Sequence, residues 1–299
     1  MSNIKKTNRH YKLLAKEQQI CEGFSHLIIQ NFDKINEKEI EPTIQNIHEN
    51  IFEEVLSIVI DSLVNLYFKE VNEGKDKKDR KQHILDCINN HHKINLQEIC
   101  NWLLNNQNDS NSIYLLGYFN YHRIGMVTNE QNALELYQKA AGLGNNAAQF
   151  DLTILYTDRS DIDNNLDKTF KLSKMLAEKK YPGGINLLGY CYDIGIGTDI
   201  NAQKAFELYQ FAAKLGNSHG MNNLGCCYDN GIGTDINKQK AIELYQIAAN
   251  FGHDIAQYNL ALMYEHGDGI EKDVSQAIYW YKKSAEQGYD YAQNKLKYF

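Results

Sequence analysis

Proline is nearly absent from this chain, which has only 2 prolines in 299 residues. Proline breaks helices because it lacks an amide hydrogen and clashes with the preceding turn, so its scarcity leaves long stretches of chain free to be helical. Hydrophobic residues make up 43% of the sequence, which is enough for a continuous core. These features predict a mostly helical protein.

The sequence also lacks a long apolar run. Its longest apolar segment, residues 55–68, is interrupted by Ser57, Asp61, Ser62 and Asn65, whereas a membrane span needs roughly 20 apolar residues. The first residues, MSNIKKTNRHYKLLAKEQQ, have no apolar stretch of the kind found in secretory signals. We therefore predict no membrane insertion and a cytoplasmic location.

An excess of basic residues is missing too. The net charge is −7, and basic residues are outnumbered by acidic ones both before Ser110 (14 against 17) and after it (17 against 21). The most basic stretch, KDKKDRK at residues 75–81, is interrupted by Asp76 and Asp79, and we interpret it as a solvated turn. Without a basic domain, nucleic acid is not an expected partner.

Motifs of enzymes and cofactor sites are lacking as well. The sequence has no phosphate-binding loop after a strand, no nucleophile elbow, no HExxH motif and no paired catalytic carboxylates. One cluster resembles a metal site, but its spacing matches no common zinc motif; it consists of Cys87, His91, His92 and Cys100. We therefore assign no catalytic residue, cofactor or metal ligand, and predict a noncatalytic protein.

What the sequence does contain is a repeat. Two nearly identical segments begin at Asn186 and Asn222, 36 residues apart (222 − 186 = 36). A fixed period of this length is typical of helical solenoids, whose stacked repeats build an extended binding surface. We expect five repeats, at residues 112–146, 147–182, 183–218, 219–254 and 255–290.

The spacing of apolar residues in each repeat predicts two helices. In the third repeat, residues 185–194 form helix A and residues 202–215 form helix B. Glycine pairs separate the two helices in the last three repeats, where the chain must reverse. The residue before helix B can cap it, because its side chain accepts hydrogen bonds from the first turn; these residues are Asn129, Asn165, Asn201, Asn237 and Asp273.

The segment LGYCYDIGIGTDINAQKAFELYQFAAKLG resembles the Sel1-like repeat, a relative of the tetratricopeptide repeat. Repeats three to five keep the pattern, repeat one has Arg123 at the first turn glycine, and repeat two is degenerate, with Thr153, Arg159 and Asp161 among its departures. The resemblance implies an all-α fold, a right-handed α-solenoid of about five helical hairpins, used as a scaffold or adaptor. The chain is also similar to fungal signalling proteins in which such an array follows a protein kinase, although this sequence has no HRD or DFG motif.

Residues 1–110 lie before the repeats and differ from them. Apolar residues at helical spacing predict a long helix after Pro42, followed by shorter helices near residues 83–89 and 96–105, the last capped by Asn95. We expect the two short helices to seal the first repeat, and residues 291–299 to close the other end. The long helix is either part of a local bundle or a contact with another chain.

A helical wheel of helix A predicts the binding face. In the fifth repeat, three side chains share the face opposite the core, and the repeat period transfers their positions to the other repeats. The predicted protein-binding residues are Tyr114, Tyr118, Phe150, Ile154, Asn186, Tyr190, Asp193, Asn222, Cys226, Asp229, Tyr258, Leu262 and Glu265. The alternative interpretation is that the tyrosines only shield packing between repeats.

Taken together, the sequence predicts an interaction scaffold in signalling, which binds a client protein or peptide through the concave helix A face. The client could be a protein kinase, and an extended or helical peptide with apolar anchors and a basic residue would suit the strip. A second hypothesis is an oligomerising structural subunit assembled through residues 40–72. The sequence does not fix the oligomeric state.

Overall fold

The computed structural model describes residues 41–90, 94–126, 130–158 and 165–299, with side chains from residue 52 onward. These ranges contain α-helices and one short 3₁₀ helix, and no strand. The helices are α1 (Glu41–Glu73), α2 (Lys77–Asn89), α3 (Leu96–Asn105), α4 (Ser110–His122), α5 (Glu130–Gly142), α6 (Asn146–Asp158), α7 (Asn165–Glu178), α8 (Pro182–Ile194), α9 (Ala202–Lys214), α10 (Ser218–Asn230), α11 (Lys238–Asn250), α12 (Asp254–His266), α13 (Val274–Glu286), α14 (Asp290–Lys295) and the 3₁₀ helix Leu296–Tyr298.

Helices α4 to α13 form five consecutive hairpins, each packed on the next. Helix A of the five repeats is α4, α6, α8, α10 and α12, and helix B is α5, α7, α9, α11 and α13. The predicted all-α solenoid is confirmed. Helix A of the third repeat begins at Pro182, three residues before the predicted start, because proline is well tolerated in the first turn.

The predicted caps of helix B are confirmed in the last three repeats. Asn201, Asn237 and Asp273 each accept a hydrogen bond from the backbone amide three residues later, at 3.0 Å. Such a cap satisfies one of the amide groups that a helix leaves unpaired in its first turn. Asn165 is the first residue of α7, and Asn129 lies outside the described residues.

The reversal between the two helices uses a left-handed backbone. Gly233 has φ +66°, and a Cβ atom there would lie 2.3 Å from the carbonyl oxygen of Ala202 in the preceding repeat. Arg123, which replaces a turn glycine in the first repeat, still adopts φ +58°, an uncommon conformation for a non-glycine residue. The corresponding turn of the second repeat, residues 159–164, lies outside the described residues.

The core of each hairpin pairs alanines with one large tyrosine of helix B. The third repeat buries Ala205, Tyr209 and Ala212, and the fourth buries Ala241, Tyr245 and Ala248, all at 1% exposure or less. Small residues let the helices approach closely while each ring fills the remaining volume. The identical burial in consecutive repeats explains why the sequence repeats so closely there.

The region before the repeats differs from its prediction. The stretch 75–81 is not a solvated turn, since α2 begins at Lys77 and the Arg80 side chain is buried. Helix α3 packs on α4 at the open end of the first repeat, and Asn95 caps it with a complete capping box. Helix α3 therefore fits the predicted cap. Helix α2, which forms the N-terminal hairpin with α1, also reaches the first repeat, where the Lys81 amino group donates to the His122 carbonyl oxygen at 2.9 Å.

Candidate protein-binding face

The A helices together form one continuous surface, called here the inner face. Helix α1 packs along this surface, in contact with α4, α6 and α8. Its apolar side is buried against the first repeats and includes Leu56, Ile60, Leu63 and Tyr67. The long N-terminal helix is therefore a partner of the inner face within the same chain.

The contacts of the hairpin show that the inner face is concave. The Lys77 amino group lies 4.7 Å from the centre of the Tyr121 ring in the first repeat. The neighbouring Asp76 carboxylate is close enough to Asp254 in the fifth repeat for the Asp254 carboxylate to raise its pKa. Because two adjacent residues reach the first and last repeats, the array must curve around the hairpin.

Aromatic contacts fix α1 on the first two repeats. The Tyr67 ring centre lies 5.7 Å from that of Tyr114 and 5.1 Å from that of Tyr118. The Tyr67 hydroxyl donates a hydrogen bond to Asp151 of α6, and the Tyr114 hydroxyl donates to the other carboxylate oxygen at 3.0 Å. The Arg80 guanidinium covers the Tyr67 ring at 5.2 Å.

This polar cluster is buried in the interior of the protein. Burial raises the pKa of Asp151, while the two tyrosine hydroxyls and Arg80 lower it. Asp151 keeps some accessible surface because it borders a cavity of about 40 Å³ that Arg80, His122 and Tyr137 also line. A buried polar group is costly unless it is paired, so these contacts specify how α1 sits on the array.

The tip of the hairpin docks on the first turns of the later A helices. The carbonyl oxygen of Asn72 accepts from the Asn217 side chain at 2.9 Å, and that of Gly74 accepts from the Ser218 hydroxyl at 2.6 Å. Gly74 has φ +76°, and a Cβ atom there would lie 2.6 Å from the Ser218 hydroxyl. Only glycine permits this approach.

Titratable groups surround the docked tip. Burial and the neighbouring Asp254 and Asp79 carboxylates raise the pKa of Asp76 to about 7. His253 Nε2 lies 2.7 Å from His219 Nδ1. Burial lowers the pKa of His219 to about 4 and lowers that of His253 as well.

The predicted binding residues of the first two repeats lie under the hairpin or beside it. Tyr114, Tyr118 and Phe150 are buried, and Ile154 is half-buried. The expectation of an accessible aromatic strip at this end is therefore corrected, because the chain's own Tyr67 and Arg80 contact these rings. We call this part, repeats one and two, the covered half.

The remaining predicted residues line the inner face of α8, α10 and α12 beyond their first turns, which we call the open half. Tyr190 is 36% exposed. Asp193, Cys226, Asp229, Tyr258, Leu262 and Glu265 are half-buried, and Asn186 and Asn222 are mostly buried. This half keeps solvent-accessible polar and aromatic groups.

Four asparagines form a hydrogen-bonded row across the open half. Asn259 donates to Asn222 at 3.1 Å, Asn222 donates to Asn223 at 3.3 Å, and Asn223 donates to Asn186 at 3.0 Å. The row crosses three repeats, and each of its hydrogen bonds points from the Asn259 end toward the Asn186 end. We call it the asparagine row.

An acidic row runs beside it, nearer the ends of the same helices. Asp193, Asp229 and Glu265 are 36 residues apart (193 + 36 = 229; 229 + 36 = 265). Lys238 pairs with Asp229 at 2.5 Å and Lys295 pairs with Glu265 at 2.9 Å. Asp193 accepts from the Tyr209 hydroxyl at 3.2 Å and has no cationic partner among the described residues.

The helical wheel missed two members of the asparagine row and the whole hairpin contact. Asn223 and Asn259 are one period apart (223 + 36 = 259), so the same repeat spacing could have identified them. No sequence signal connects Tyr67 or Arg80 with Asp151, because Tyr67 and Arg80 precede the repeats and Asp151 has no carboxylate counterpart one period away. That contact becomes visible only in three dimensions.

The described ranges are also informative about membrane spans and metal sites. None of the helices there has the length and apolar character of a membrane span. No group of three or more metal-binding side chains comes together in the same part of the chain. His91 and His92 of the metal-like cluster lie outside the described residues.

Comparison with known proteins gives a consistent result. The family model described as Sel1 repeat matches residues 110–145, 182–217, 218–253 and 254–289. The interval between the first two matches contains α6 and α7 of the degenerate repeat. No curated protein sequence matches.

Two solved structures are similar over much of the chain. A Sel1 repeat protein from Oxalobacter formigenes has 31% identity and a TM-score of 0.56, over 66% of this chain and 79% of the other. A protective antigen of uropathogenic Escherichia coli strains, which displays the same kind of fold, has 26% identity and a TM-score of 0.55. That alignment covers 79% of this chain and 51% of the antigen. The chain belongs to the Sel1 repeat family.

Proposed function

We propose that this protein is a noncatalytic scaffold that binds a client protein through the open half of its inner face. Sel1 repeat proteins are generally protein-interaction scaffolds, and their solenoid is typically a noncatalytic module. The observation that supports this site is the contrast in exposure: Tyr118 is 1% exposed under α1, whereas Tyr190 is 36% exposed. A client that uses the inner face therefore meets repeats three to five.

A signalling role, a kinase client and a cytoplasmic location remain predictions from the sequence. The hypothesis of assembly through residues 40–72 also remains a prediction. Within that segment, Leu56, Val59 and Leu63 are already buried, whereas Ile58 is 42% exposed. Among the described side chains of this segment, residues 52–72, most of the apolar surface is therefore used within the chain.

Capture of proteins from a lysate of the source organism tests the site. The inner-face variant combines Tyr190→Ala with Asp193→Lys. The matched outer variant makes the same two kinds of change on helix B of the same repeat, Phe211→Ala with Glu207→Lys, at two exposed positions. Circular dichroism first checks that both variants keep their helix content.

We expect the inner-face variant to lose partners that the wild type and the outer variant retain. If the same proteins are captured by all three, the open half is not the client site. If the outer variant alone loses them, the client binds the opposite surface.

A further inference from the structure

We infer that the open half is a site for an extended, arginine-containing peptide, whose main chain lies on the asparagine row and whose basic side chain pairs with Asp193. This inference rests on the proposed function and names the class of ligand. It follows from the hydrogen-bonding capacity of the row, from the unequal pairing of the acidic row, and from the distances between them.

The side-chain amides of the asparagine row carry the same kinds of hydrogen-bond donor and acceptor as a peptide main chain. Each side-chain amide carries two N–H donors and an oxygen that accepts two hydrogen bonds. Within the row, Asn223 uses one donor on Asn186 and one acceptor site on Asn222. Asn186, Asn222 and Asn223 therefore keep capacity to donate and to accept, whereas Asn259 donates to both Asn222 and the Cys226 sulfur and keeps only its acceptor. This set of groups matches the alternating N–H and C=O groups of an extended strand.

One end of the row, at Asn186, is also available to a ligand. Asn186 accepts from Asn223, and its own N–H groups have no partner in the described part of the chain. Asn186 is 9% exposed, but its amide nitrogen is not one of the buried polar atoms that lack a partner, so this donor reaches the surface. A carbonyl oxygen of a bound peptide would satisfy it.

The length of the row sets the length of the ligand. Neighbouring packed helices lie about 8–10 Å apart, so three A helices span roughly 20 Å. An extended chain rises about 3.3 Å per residue, and the row therefore accommodates about six residues. Alternate side chains of that strand point the same way, toward or away from the acidic row.

The acidic row favours a positively charged ligand. Asp193 is the member of the row that has no cationic partner among the described residues. Asp229 and Glu265 already pair with Lys238 and Lys295. Asp193 lies seven residues beyond Asn186 on the same helix, which is about 10 Å along its axis. An arginine side chain can cover most of that distance from a main chain that lies on the row.

Tyr190 favours arginine over lysine at this position. It lies three residues before Asp193, on the same side of α8, and its ring is exposed. A guanidinium group can stack on an aromatic ring while it pairs with a carboxylate through two hydrogen bonds, whereas an ammonium group cannot.

Fluorescence anisotropy with synthetic peptides tests this inference. The probe is a fluorescein-labelled eight-residue peptide in which serine and arginine alternate. One comparison peptide replaces arginine with glutamate, a second replaces it with lysine, and a third carries methyl groups on alternate main-chain nitrogens. The proteins are the wild type, Asp193→Asn, Asn223→Ala and the control Asp235→Asn, which changes an exposed carboxylate in the turn of the fourth repeat.

We expect the arginine peptide to bind the wild type and Asp235→Asn equally. Asp193→Asn should weaken binding about tenfold, since a charge-assisted hydrogen bond is lost. Main-chain methylation should weaken binding by a similar factor. This comparison uses only the wild-type protein, so it does not depend on whether Asn223→Ala folds.

Three results would overturn the inference. The first is that methylation has no effect, which would mean that charge alone is recognised. The second is that the glutamate or the lysine peptide binds as tightly as the arginine peptide, which would mean that Asp193 and Tyr190 do not select arginine. The third is that none of the peptides binds; if the inner-face variant nevertheless loses its lysate partners, the proposed function survives and only the ligand class is wrong.

Discussion

The covered half and the open half of the inner face come from the same helical repeat but differ in what lies on them. In repeats one and two, α1 and Arg80 bury the A-helix side chains, and Asp151 is paired on several sides. In repeats three to five, the equivalent surface carries asparagines and carboxylates that remain partly accessible. A repeat therefore provides a surface, and the residues outside the repeat decide how much of it is available.

The two halves also differ in how they should respond to substitution. The covered half is a core, where each side chain contributes to folding. The open half is a site, where side chains are held in place but contribute little to stability. The predictions below test that difference, beginning with the one that should change stability the most.

Replacement of Tyr67 with alanine should lower the free energy of unfolding by about 3–5 kcal/mol, because a large buried ring and its hydrogen bond to Asp151 are lost. Tyr190→Ala is the matched change in the open half and should cost less than about 1 kcal/mol. Urea denaturation of both variants measures the difference. Equal losses would show that the two halves are not distinct in this way.

Asp76→Asn should make the protein more stable above pH 7. The pKa of Asp76 is raised in the folded state to about 7, so the folded protein binds this proton more tightly than the unfolded chain does, and stability falls as the pH rises from about 4 to about 7. Asparagine removes the charge and has nearly the same shape.

The expected gain for Asp76→Asn is about 1–2 kcal/mol at pH 8, after allowance for partial solvent screening. The two proteins should be equally stable near pH 4, where Asp76 is protonated in the folded state. Urea denaturation at both pH values measures the difference. A gain that is the same at pH 4 and pH 8 would exclude titration of Asp76 as its cause.

His219 should make stability depend on pH in the opposite direction, so that stability falls as the pH is lowered. Its pKa is lowered to about 4 in the folded state, so its contribution to stability is complete above about pH 6.5 and is lost as the pH falls toward 4. His219→Gln should therefore reduce acid destabilisation by about 1 kcal/mol. Thermal melting between pH 4 and pH 7 tests this, and a variant as sensitive to acid as the wild type would contradict it.

The sequence predicted the array well because its signals are local and repeated. The caps Asn201, Asn237 and Asp273 depend on residues three positions away, and each of the last three repeats contains one. The left-handed turn also recurs in the first repeat, where Arg123 adopts it without glycine. Such features depend little on the rest of the molecule.

The occupant of the inner face could not be predicted in the same way. The contact between Tyr67 and Asp151 joins residues 84 positions apart, and neither residue repeats with the period. The helical wheel identified Tyr114 and Tyr118 as facing away from the hairpin core, and they do lie against α1. What the wheel could not supply was the identity of the partner, because an apolar face has the same pattern whether it meets a client or the chain's own helix.

The smallest effect on stability is expected from Asp193→Asn. Its carboxylate is half-buried, accepts one hydrogen bond from Tyr209 and has no cationic partner among the described residues. Asparagine has nearly the same shape and can accept the same bond, so the free energy of unfolding should change by less than about 0.5 kcal/mol. The same substitution is expected to weaken binding of the arginine peptide about tenfold. A residue that matters for binding but not for folding is what distinguishes a site from a core, and a loss of stability as large as that of Tyr67→Ala would place Asp193 with the core instead.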